Sequence, residues 1–480
     1  MKHESSLASA ADANAAIRPS ACPGLVRVVA ARDGGICRLR LPGGVLRAPH
    51  ARALAEAARA HASGVLELTN RANVQIRGVR AGEEAALSAA LIAAGLGPDG
   101  IGAANSPAQA CIADELRNVM QSPLAGLDPL AFDTTPLAAA LIDMLRSEPR
   151  FAALSPKFAL LLDGGERLAE RAHPHDIWLA ARGHDAAHAD ETRFALGLAG
   201  CPCDAPLGTL AARDIRATVR ALLHAFLDIA DNLVDNQADK HANVERMRDV
   251  PNREALLERA RARAGFTLTP DEHGIDAKRS TSADAGSRLG AHALHANGSG
   301  YVGAQPALGR LDASTLHALA ALAQAHGDGT LRVTPWQGLL LPNVPAQAMP
   351  GVLDALAALG LIHTRANPLA RLVACAGSPG CAKSRADTKA DAQRLAALLP
   401  RDEAAAQVHL SGCERSCAAA HRAPFTLLAR APQRYDLYAA CTPASRDDDA
   451  SGFGRLVATH LTIEAAAPLL ARRPRSTTDV

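Results

Sequence analysis

The chain has 480 residues, a formal net charge of +2 at pH 7 and only 3% aromatic residues. This length exceeds what one ordinary hydrophobic core accommodates, so we expect roughly two to four structural units. The nearly neutral charge gives no argument for nucleic acid as a partner, although local arginine clusters matter more than the sum.

The first residues, "MKHESSLASAADANAAIRPSACPG", contain no apolar run of the kind that a signal peptide needs. No stretch of the chain reaches the about 20 apolar residues of a membrane span. We therefore expect a cytoplasmic protein with no membrane partner. In a reducing compartment its 10 cysteines would be thiols or metal ligands rather than structural disulfides.

Residues 1–20 are predicted to be a disordered lead, and residues 21–95 a first folded unit. Two short β runs surround a glycine turn in "GLVRVVAARDGGICRLRLPGGVL", and "APHARALAEAARAHA" predicts a helix. One alternating strand, "VLELTNRANVQIRGV", and a second helix, "GEEAALSAALIAAGL", follow. This β-β-α-β-α order is typical of an α+β sandwich.

Residues 108–245 predict a second unit that mixes strands and helices. "LRNVMQSPLAG" predicts a strand and a loop, and "PKFALLLDGG" and "DIWLAAR" predict buried strands. "TPLAAALIDMLRS" and "ARDIRATVRALLHAFLDIADNLV" have the apolar period of helices. Residues 246–297 are polar and glycine-rich with weak periodicity, which predicts a linker.

The remaining pattern repeats the first half of the chain, with units at 298–364 and 365–472. "LELTNRANVQIRGV" aligns with "LRVTPWQGLLLPNV", which pairs Thr69 with Thr334. "LRNVMQSPLAG" aligns with "ARLVACAGSPG", and "ALLLDGG" aligns with "QVHLSGC". Their common order, at a shift of about 250 to 265 residues, predicts a duplication with pseudo-two-fold symmetry.

Two close cysteine pairs occur only in the second copy. Cys375 and Cys381 flank a glycine-rich loop after an apolar run, and Cys413 and Cys417 follow the short strand "QVHL". A spacing of four residues would place the last two thiols on one helix face. We therefore expect the ends of two strands to present four sulfur atoms to one point.

Three interpretations of these four thiols remain open: plain structural cysteines, a structural zinc site, or a cubane iron–sulfur cluster. Zinc sites usually space each pair two to four residues apart, which the six-residue spacing of the first pair does not match. The pattern favours the cluster. The other cysteines are isolated or, in the Cys-Pro-Cys sequence, lack a partner pair: Cys22, Cys37, Cys111, Cys201, Cys203 and Cys441.

Cations cluster near predicted strand ends in the first copy. By the period of two, Arg71 and Arg77 share one strand face with two amides between them. Arg117 and Lys157 stand at the starts of two further strands. Either these residues form a solvated face, or they bind a ligand with several carboxylates, which guanidinium groups pair bidentately.

These motifs, in the order "LTNRANVQIRGV", "RNVMQSPLAG", "PKFALLLDGG", "ACAGSPGC" and "SGCERSC", resemble the sulfite and nitrite reductase superfamily. The resemblance covers about 20–245 and 298–430. It implies an α+β fold in which duplicated ferredoxin-like half-domains alternate with two nitrite/sulfite reductase-type α/β domains. The half-domains would be 21–95 and 298–364, and the α/β domains 108–245 and 365–472.

The same resemblance implies functional residues. Cys375, Cys381, Cys413 and Cys417 would bind a 4Fe–4S cluster in the last domain, and Cys417 matches the cysteine that also bridges to haem iron in sirohaem members. Arg71, Arg117 and Lys157 match the cations on the substrate side of the family.

Two branches of the superfamily are similar to this chain. Sirohaem-dependent reductases usually have a second lysine where this chain has Ala159, and Pro-Asn where it has Glu414 and Arg415. "TPWQGLLLPNV", "SPKFALLLDGG" and "ERMRDV" resemble the branch that makes precorrin-3B. A sirohaem sulfite or nitrite reductase, and a non-enzymatic protein stabilised by zinc or a cluster, remain alternatives.

The precorrin-3B branch implies a monooxygenase that hydroxylates precorrin-3A at C20 with O2 and forms a γ-lactone. Electrons would come from NAD(P)H through a reductase or ferredoxin. The carboxylates of precorrin-3A would bind Arg71, Arg77, Arg117 and Lys157. The branch also implies a mononuclear non-haem iron. His173, His175 and Asp176 lie close together in the sequence as possible ligands, but a polar turn before a strand is the favoured interpretation.

Overall fold

The computed structural model describes residues 22–103, 106–183, 192–235, 244–271, 285–419, 421–440 and 452–471. The predicted disordered lead at 1–20 lies outside these residues, as does Cys441. Over the described ranges, no helix combines the length and apolarity that crossing a bilayer requires. Four five-stranded sheets organise the fold.

The first half-domain precedes the first α/β domain in the chain. The strands of the half-domain are β1 (Val29–Ala31), β2 (Gly34–Leu39), β3 (Val45–Arg47), β4 (Val65–Leu68) and β5 (Val74–Val79), and its helices are α1 (Ala48–His61) and α2 (Glu84–Ala93). The α/β domain contains α3 (Pro107–Glu115), β6 (Val119–Gln121), α4 (Thr135–Ser147), β7 (Leu160–Asp163), β8 (His175–Arg182), β9 (Arg193–Gly200), β10 (Gly208–Ala211), α5 (Ile215–Asp235) and α6 (Arg253–Ala264).

The second half of the chain repeats this plan. Its half-domain contains β11 (Gly290–Ala293), β12 (Gly300–Ala304), β13 (Arg310–Asp312), α7 (Ala313–His326), β14 (Thr330–Val333), β15 (Leu339–Val344) and α8 (Met349–Ala358). The second α/β domain contains β16 (Leu372–Ala374), the single-turn helix α9 (Gly377–Gly380), α10 (Thr388–Leu398), β17 (Val408–Ser411), β18 (Phe425–Ala431), β19 (Arg434–Ala439), β20 (Arg455–Leu461) and α11 (Ile463–Ala471).

The two half-domains exchange a strand. The first sheet has the order β1-β2-β5-β4-β13 and the second the order β11-β12-β15-β14-β3, so each half completes the other's sheet. Leu311 pairs with Leu66 in one sheet, and Leu46 pairs with Leu331 in the other. The apolar residues of both halves form one continuous core. The half-domains therefore form one structural unit rather than two separate ones.

The α/β domains share one topology. In the first, β6, β7 and β8 are parallel and β9 and β10 continue antiparallel; in the second, β16, β17 and β18 are parallel and β19 and β20 continue antiparallel. Parallel neighbours bring their carboxyl ends to one edge of a sheet, where ligands bind in open α/β folds. The predicted pseudo-two-fold duplication is confirmed.

The predicted single strand "VLELTNRANVQIRGV" is a hairpin of β4 and β5. The Thr69 hydroxyl accepts hydrogen bonds from the Arg71 and Asn73 amides at 3.3 and 3.1 Å, and Ala72 has a φ of 55°. The second copy repeats this turn, because the Thr334 hydroxyl accepts from the Gly338 amide at 3.0 Å. Apolar and polar residues alternate on both sides of this short turn, so the sequence pattern looks like one continuous strand.

Part of the predicted linker at 246–297 is regular structure that belongs to the neighbouring domains. Helix α6 lies within it, and Met247, Leu256 and Phe266 are buried in the core of the first α/β domain. Thr269 exchanges backbone hydrogen bonds with Thr209 at 2.8 and 3.0 Å. Because half of the side chains of α6 are charged, its apolar period is too weak to be visible in the sequence.

One buried carboxylate joins three of these units. Glu67 on β4 lies opposite Arg310 of the exchanged strand β13 and forms an ion pair with it at 2.6 Å. It also contacts Arg77 of β5 at 3.4 Å and Lys389 of α10 at 3.7 Å. Burial alone would raise the pKa of Glu67, but the charges of Lys389, Arg77 and Arg310 outweigh it and lower the pKa.

We expect Glu67→Gln to destabilise the protein by about 3 kcal/mol, because it leaves buried cations without their counter-charge. The free energy of unfolding from urea titration at pH 7 measures the effect. Glu56→Gln is the matched control, since Glu56 is exposed on α1. An equal loss in both variants would contradict the assigned role of Glu67.

The depressed pKa of Glu67 also predicts a pH dependence. A carboxylate with a lowered folded-state pKa stabilises the fold above its unfolded pKa and loses this contribution as the pH falls through the folded value. The stability difference between the wild type and Glu67→Gln should therefore be constant near neutral pH and shrink in acid. Unfolding midpoints from pH 7 down to pH 3 provide the measurement.

Candidate functional site

A cavity of about 730 Å³ lies between the first half-domain and the second α/β domain. This volume is within the range of small-molecule sites. Strand β2 and the β4–β5 hairpin supply one side, and the loops after β16 and β17 supply the other. Lys157 of the first α/β domain also lines it.

All four paired cysteines line this cavity. Cys375 follows β16 and Cys413 follows β17, and these strands are parallel neighbours. The Sγ atom of Cys375 accepts a hydrogen bond from the Gly412 amide at 3.3 Å. Only glycine fits at 412, because a Cβ atom there would lie 1.9 Å from the Ser384 hydroxyl. The four thiols thus lie at one cavity beside the ends of two parallel strands, as the spacing predicts.

The local structure around the thiols differs from the prediction in one respect. Cys413 and Cys417 do not share a helix face, because residues 413–417 form turns and Ser416 has a φ of 51°. These turns still place both thiols at the cavity. The predicted helix near Cys381 is the single turn α9, which ends just before it.

The thiols also interact electrostatically. Burial raises the pKa of Cys417, and the charges of Cys413, Cys375 and Cys381 raise it further. Among the described residues, no three His, Cys, Asp or Glu side chains converge closely enough to hold a single metal ion. Four cysteine side chains at one cavity are the ligand set that a 4Fe–4S cluster uses.

Several cations line the cavity without a carboxylate partner among the described residues. Arg38 donates to the Gln75 side-chain oxygen at 2.8 and 3.3 Å, and Arg71 donates to the Lys157 carbonyl at 3.5 Å. Burial and the charge of Arg40 lower the pKa of Arg38 to about 10, and burial and the charge of Arg246 lower that of Arg71 to about 10. The charges of Asp114 near Arg38 and of Asp176 near Arg71 oppose these shifts only in part.

Arg77 reaches the same cavity but has its own partners. It forms a bidentate pair with Asp33 at 2.8 Å, contacts Glu67, and donates to the Gly380 carbonyl at 3.0 Å. The predicted equivalence of Arg71 and Arg77 does not hold, because the hairpin turn separates them. Arg77 connects the first half-domain to the loop before Cys381.

Arg117 does not line the cavity. Its guanidinium lies 3.7 Å from Asp114, whose carboxylate also pairs with Arg40 at 2.7 Å. Lys157 is exposed at the cavity. The structure thus brings Lys157 and Arg71 together and places Arg117 in a separate ion-pair group.

The suggested iron ligands in "AHPHD" are buried outside the cavity lining. The rings of His173 and His175 lie 4.7 Å apart, and His175 Nδ1 is 2.8 Å from the His173 carbonyl. Burial lowers the pKa of His173 to about 3. Asp176 accepts hydrogen bonds from Arg246 and from the Ala159 and Met247 amides. These contacts indicate a structural role for Asp176.

Sequence reasoning missed four cations that line the cavity: Arg32, Arg38, Lys389 and Arg415. Arg38 faces Gln75 in the β2–β5 register, so a correct strand pairing would have found it. Lys389 donates to the Leu308 and Ala374 carbonyls at 2.8 and 3.3 Å, contacts that no local pattern reveals. The Cys-Pro-Cys thiols, Cys201 and Cys203, are half-buried and do not line this cavity.

Comparison with protein families gives two matches. The nitrite/sulfite reductase ferredoxin-like half domain matches residues 30–94 and 294–359, which are the two half-domains. The nitrite and sulphite reductase 4Fe-4S domain matches residues 112–254, the first α/β domain. The four cysteines belong to the other α/β domain, which has the same topology.

Individual relatives agree with these matches. A precorrin-3B synthase of Sinorhizobium sp is 28% identical over 426 residues, with 88% of this chain and 83% of that protein covered. A chloroplastic ferredoxin–nitrite reductase of Zea mays is 30% identical over 415 residues, with 79% and 67% covered.

A solved structure supports the same fold. The Mycobacterium tuberculosis NirA protein superimposes with a TM-score of 0.66 at 20% identity, over 91% of this chain and 80% of that one. The similarity to the Sinorhizobium protein fits the precorrin-3B synthase branch. The chain belongs to the nitrite and sulfite reductase superfamily of iron–sulfur oxidoreductases.

Proposed function

We propose that this protein is a precorrin-3B synthase, which hydroxylates precorrin-3A at C20 with O2 and forms a γ-lactone. The observation that carries the proposal is the cavity wall, in which Arg38, Arg71 and Lys157 lack carboxylate partners among the described residues beside four thiols. A tetrapyrrole with several carboxylates would supply the missing counter-charges, and guanidinium groups bind carboxylates bidentately.

The extent of the similarity supports this branch. The chain spans 83% of the Sinorhizobium precorrin-3B synthase but 67% of the maize nitrite reductase and 63% of the rice enzyme. The likeness to the synthase thus extends over more of the relative's length. We interpret this as support for the oxygenase over the reductase.

Position 159 supports the same choice. Ala159 places a buried methyl group where sirohaem-dependent reductases usually have a second lysine, and its amide donates to Asp176 at 2.9 Å. This segment therefore supplies one lysine, Lys157, to the cavity wall. A site for a small inorganic anion depends on concentrated charge more than a site for a polycarboxylate does.

Four thiolates, from Cys375, Cys381, Cys413 and Cys417, would hold the 4Fe–4S cluster, which when bound supplies single electrons beside the cavity. In the hydroxylation, one oxygen atom of O2 enters the product and the other leaves as water, so two electrons are required. NAD(P)H, through a reductase or ferredoxin, would be their source. The described residues contain no ligand set for a mononuclear iron, and no step is assigned to one.

The alternative is a sirohaem-dependent sulfite or nitrite reductase. The similarity to nitrite reductases and the exposed position of Cys417 on the cavity wall favour it. In that case the cations would bind the carboxylates of a resident sirohaem instead of a substrate.

Absorption spectra and turnover of anaerobically purified protein distinguish the two functions. The oxygenase should show broad sulfur-to-iron absorption without haem bands, and should consume O2 with precorrin-3A but not reduce nitrite or sulfite. Iron, sulfide and zinc are assayed on the same sample. A Soret band with a long-wavelength chlorin band, together with nitrite or sulfite reduction, would contradict the proposal.

Cys413→Ser should remove the cluster and the activity, because a hydroxyl is a poor ligand for iron in such clusters. Iron and sulfide content and the electron paramagnetic resonance signal of the reduced protein measure the loss. Cys201→Ser is the control, since Cys201 does not line the cavity. Wild-type iron and sulfide content in Cys413→Ser would refute the ligand assignment.

Arg71→Ala should weaken tetrapyrrole binding by about 2 kcal/mol, or roughly 30-fold in Kd, because a charge-assisted contact is lost. Fluorescence titration with a carboxylated porphyrin provides the measurement. Arg59→Ala, at an exposed position of α1, is the matched control. Unchanged affinity in Arg71→Ala would contradict the assignment of Arg71 as a tetrapyrrole-binding residue.

A further inference from the structure

We propose that Arg415 is a substrate-binding residue that pairs with a carboxylate of the tetrapyrrole and contributes to its selection. The inference rests on the proposed function, since it concerns the same cavity. Arg415 lies between Cys413 and Cys417, lines the cavity, and is exposed. Among the described residues it forms no ion pair.

The neighbouring residue, Glu414, does form ion pairs. Glu414 pairs with Arg385 at 3.1 Å and with Arg430 at 3.2 Å, and Arg430 is in turn held by Asp436 at 2.6 Å. Two adjacent charged residues therefore serve different purposes. Glu414 fixes the loop to the second α/β domain, and Arg415 keeps a free guanidinium at the cavity.

The backbone of this loop is held from several sides. The Ser411 hydroxyl donates to the Cys413 carbonyl at 2.7 Å, and the Ser416 hydroxyl donates to the Ala419 carbonyl at 3.0 Å. Asn70 of the first half-domain donates to the Cys417 carbonyl at 3.3 Å. A fixed backbone lowers the entropy cost when the side chain orders on a ligand.

The position of Arg415 also gives a basis for selectivity. Arg38 and Arg71 belong to the first half-domain, whereas Arg415 belongs to the second α/β domain. A tetrapyrrole carries carboxylates around its rim and can contact cations of both domains at once. A nitrite or sulfite ion has one small charged centre and gains less from cations that are spread over two domains.

The test uses uroporphyrin III, a stable polycarboxylate tetrapyrrole, as the probe in fluorescence titrations of the anaerobic full-length protein. Arg415→Gln should raise the Kd about tenfold or more, whereas Arg415→Lys, which keeps the charge, should stay within about threefold of the wild type. Arg434→Gln is the matched control, because Arg434 is exposed at the start of β19 and does not line the cavity. Iron and sulfide content verifies that each variant retains its cluster.

The outcomes are distinguishable. If the wild type binds uroporphyrin III and Arg415→Gln binds it equally tightly, the role of Arg415 is overturned while the cavity assignment stands. Equal losses in Arg415→Gln and Arg434→Gln would indicate a general charge effect and would also overturn it. If the wild type itself does not bind, the proposed function fails and the inference fails with it. Should Arg415→Gln lose iron, Arg415→Met repeats the test with an apolar side chain of similar length.

Discussion

The geometry of the site depends on the buried carboxylate of Glu67. It receives Arg77 from the adjacent strand, Arg310 from the exchanged strand, and Lys389 from the second α/β domain. Burial of one carboxylate is costly, and three cations outweigh that cost. Lys389 also donates to the Ala374 carbonyl, just before Cys375. These contacts fix the exchanged strand β13 and the cysteine-bearing loops relative to each other, and the cavity lies between the first half-domain and these loops.

Duplication produced two equivalent hairpins that line the candidate site unequally, since the β4–β5 hairpin supplies several lining residues and the β14–β15 hairpin supplies Gln337. Trp336 stands where the first copy has Arg71, and it is buried with Tyr301 and Leu340 in an apolar cluster. The Arg288 guanidinium stacks on the Trp336 ring at 4.6 Å. In the second copy the Trp336 ring fills the position that Arg71 has in the first copy, and its burial contributes packing energy. The symmetry of the backbone therefore supports an asymmetric distribution of charge.

The sequence predicted what depends on local pattern and on repetition. The duplication and the grouping of the four cysteines follow from spacing, whereas the role of Arg71 was implied by the family resemblance. The hairpin turn at Thr69 was missed because strand alternation continues on both sides of it. The partners of Arg77 and Lys389 were missed because they come from distant segments: Asp33 is 44 residues from Arg77, and Leu308 is 81 residues from Lys389. Long-range pairing of charges is decided by the fold, which residue spacing does not reveal.

The charges of Arg38 and Arg71 link the stability of the fold to ligand recognition. Burial lowers the pKa of Arg38 and Arg71 to about 10, a desolvation cost that the charges of Asp114 and Asp176 offset only in part. A polyanion that enters the cavity relieves this cost in the folded state alone, and binding that is restricted to the folded state raises stability. A small anion can neutralise only part of the charge. The distribution of cations therefore favours a large ligand with several separate carboxylates. A cluster held by the four thiols would lie beside that ligand and supply electrons to it.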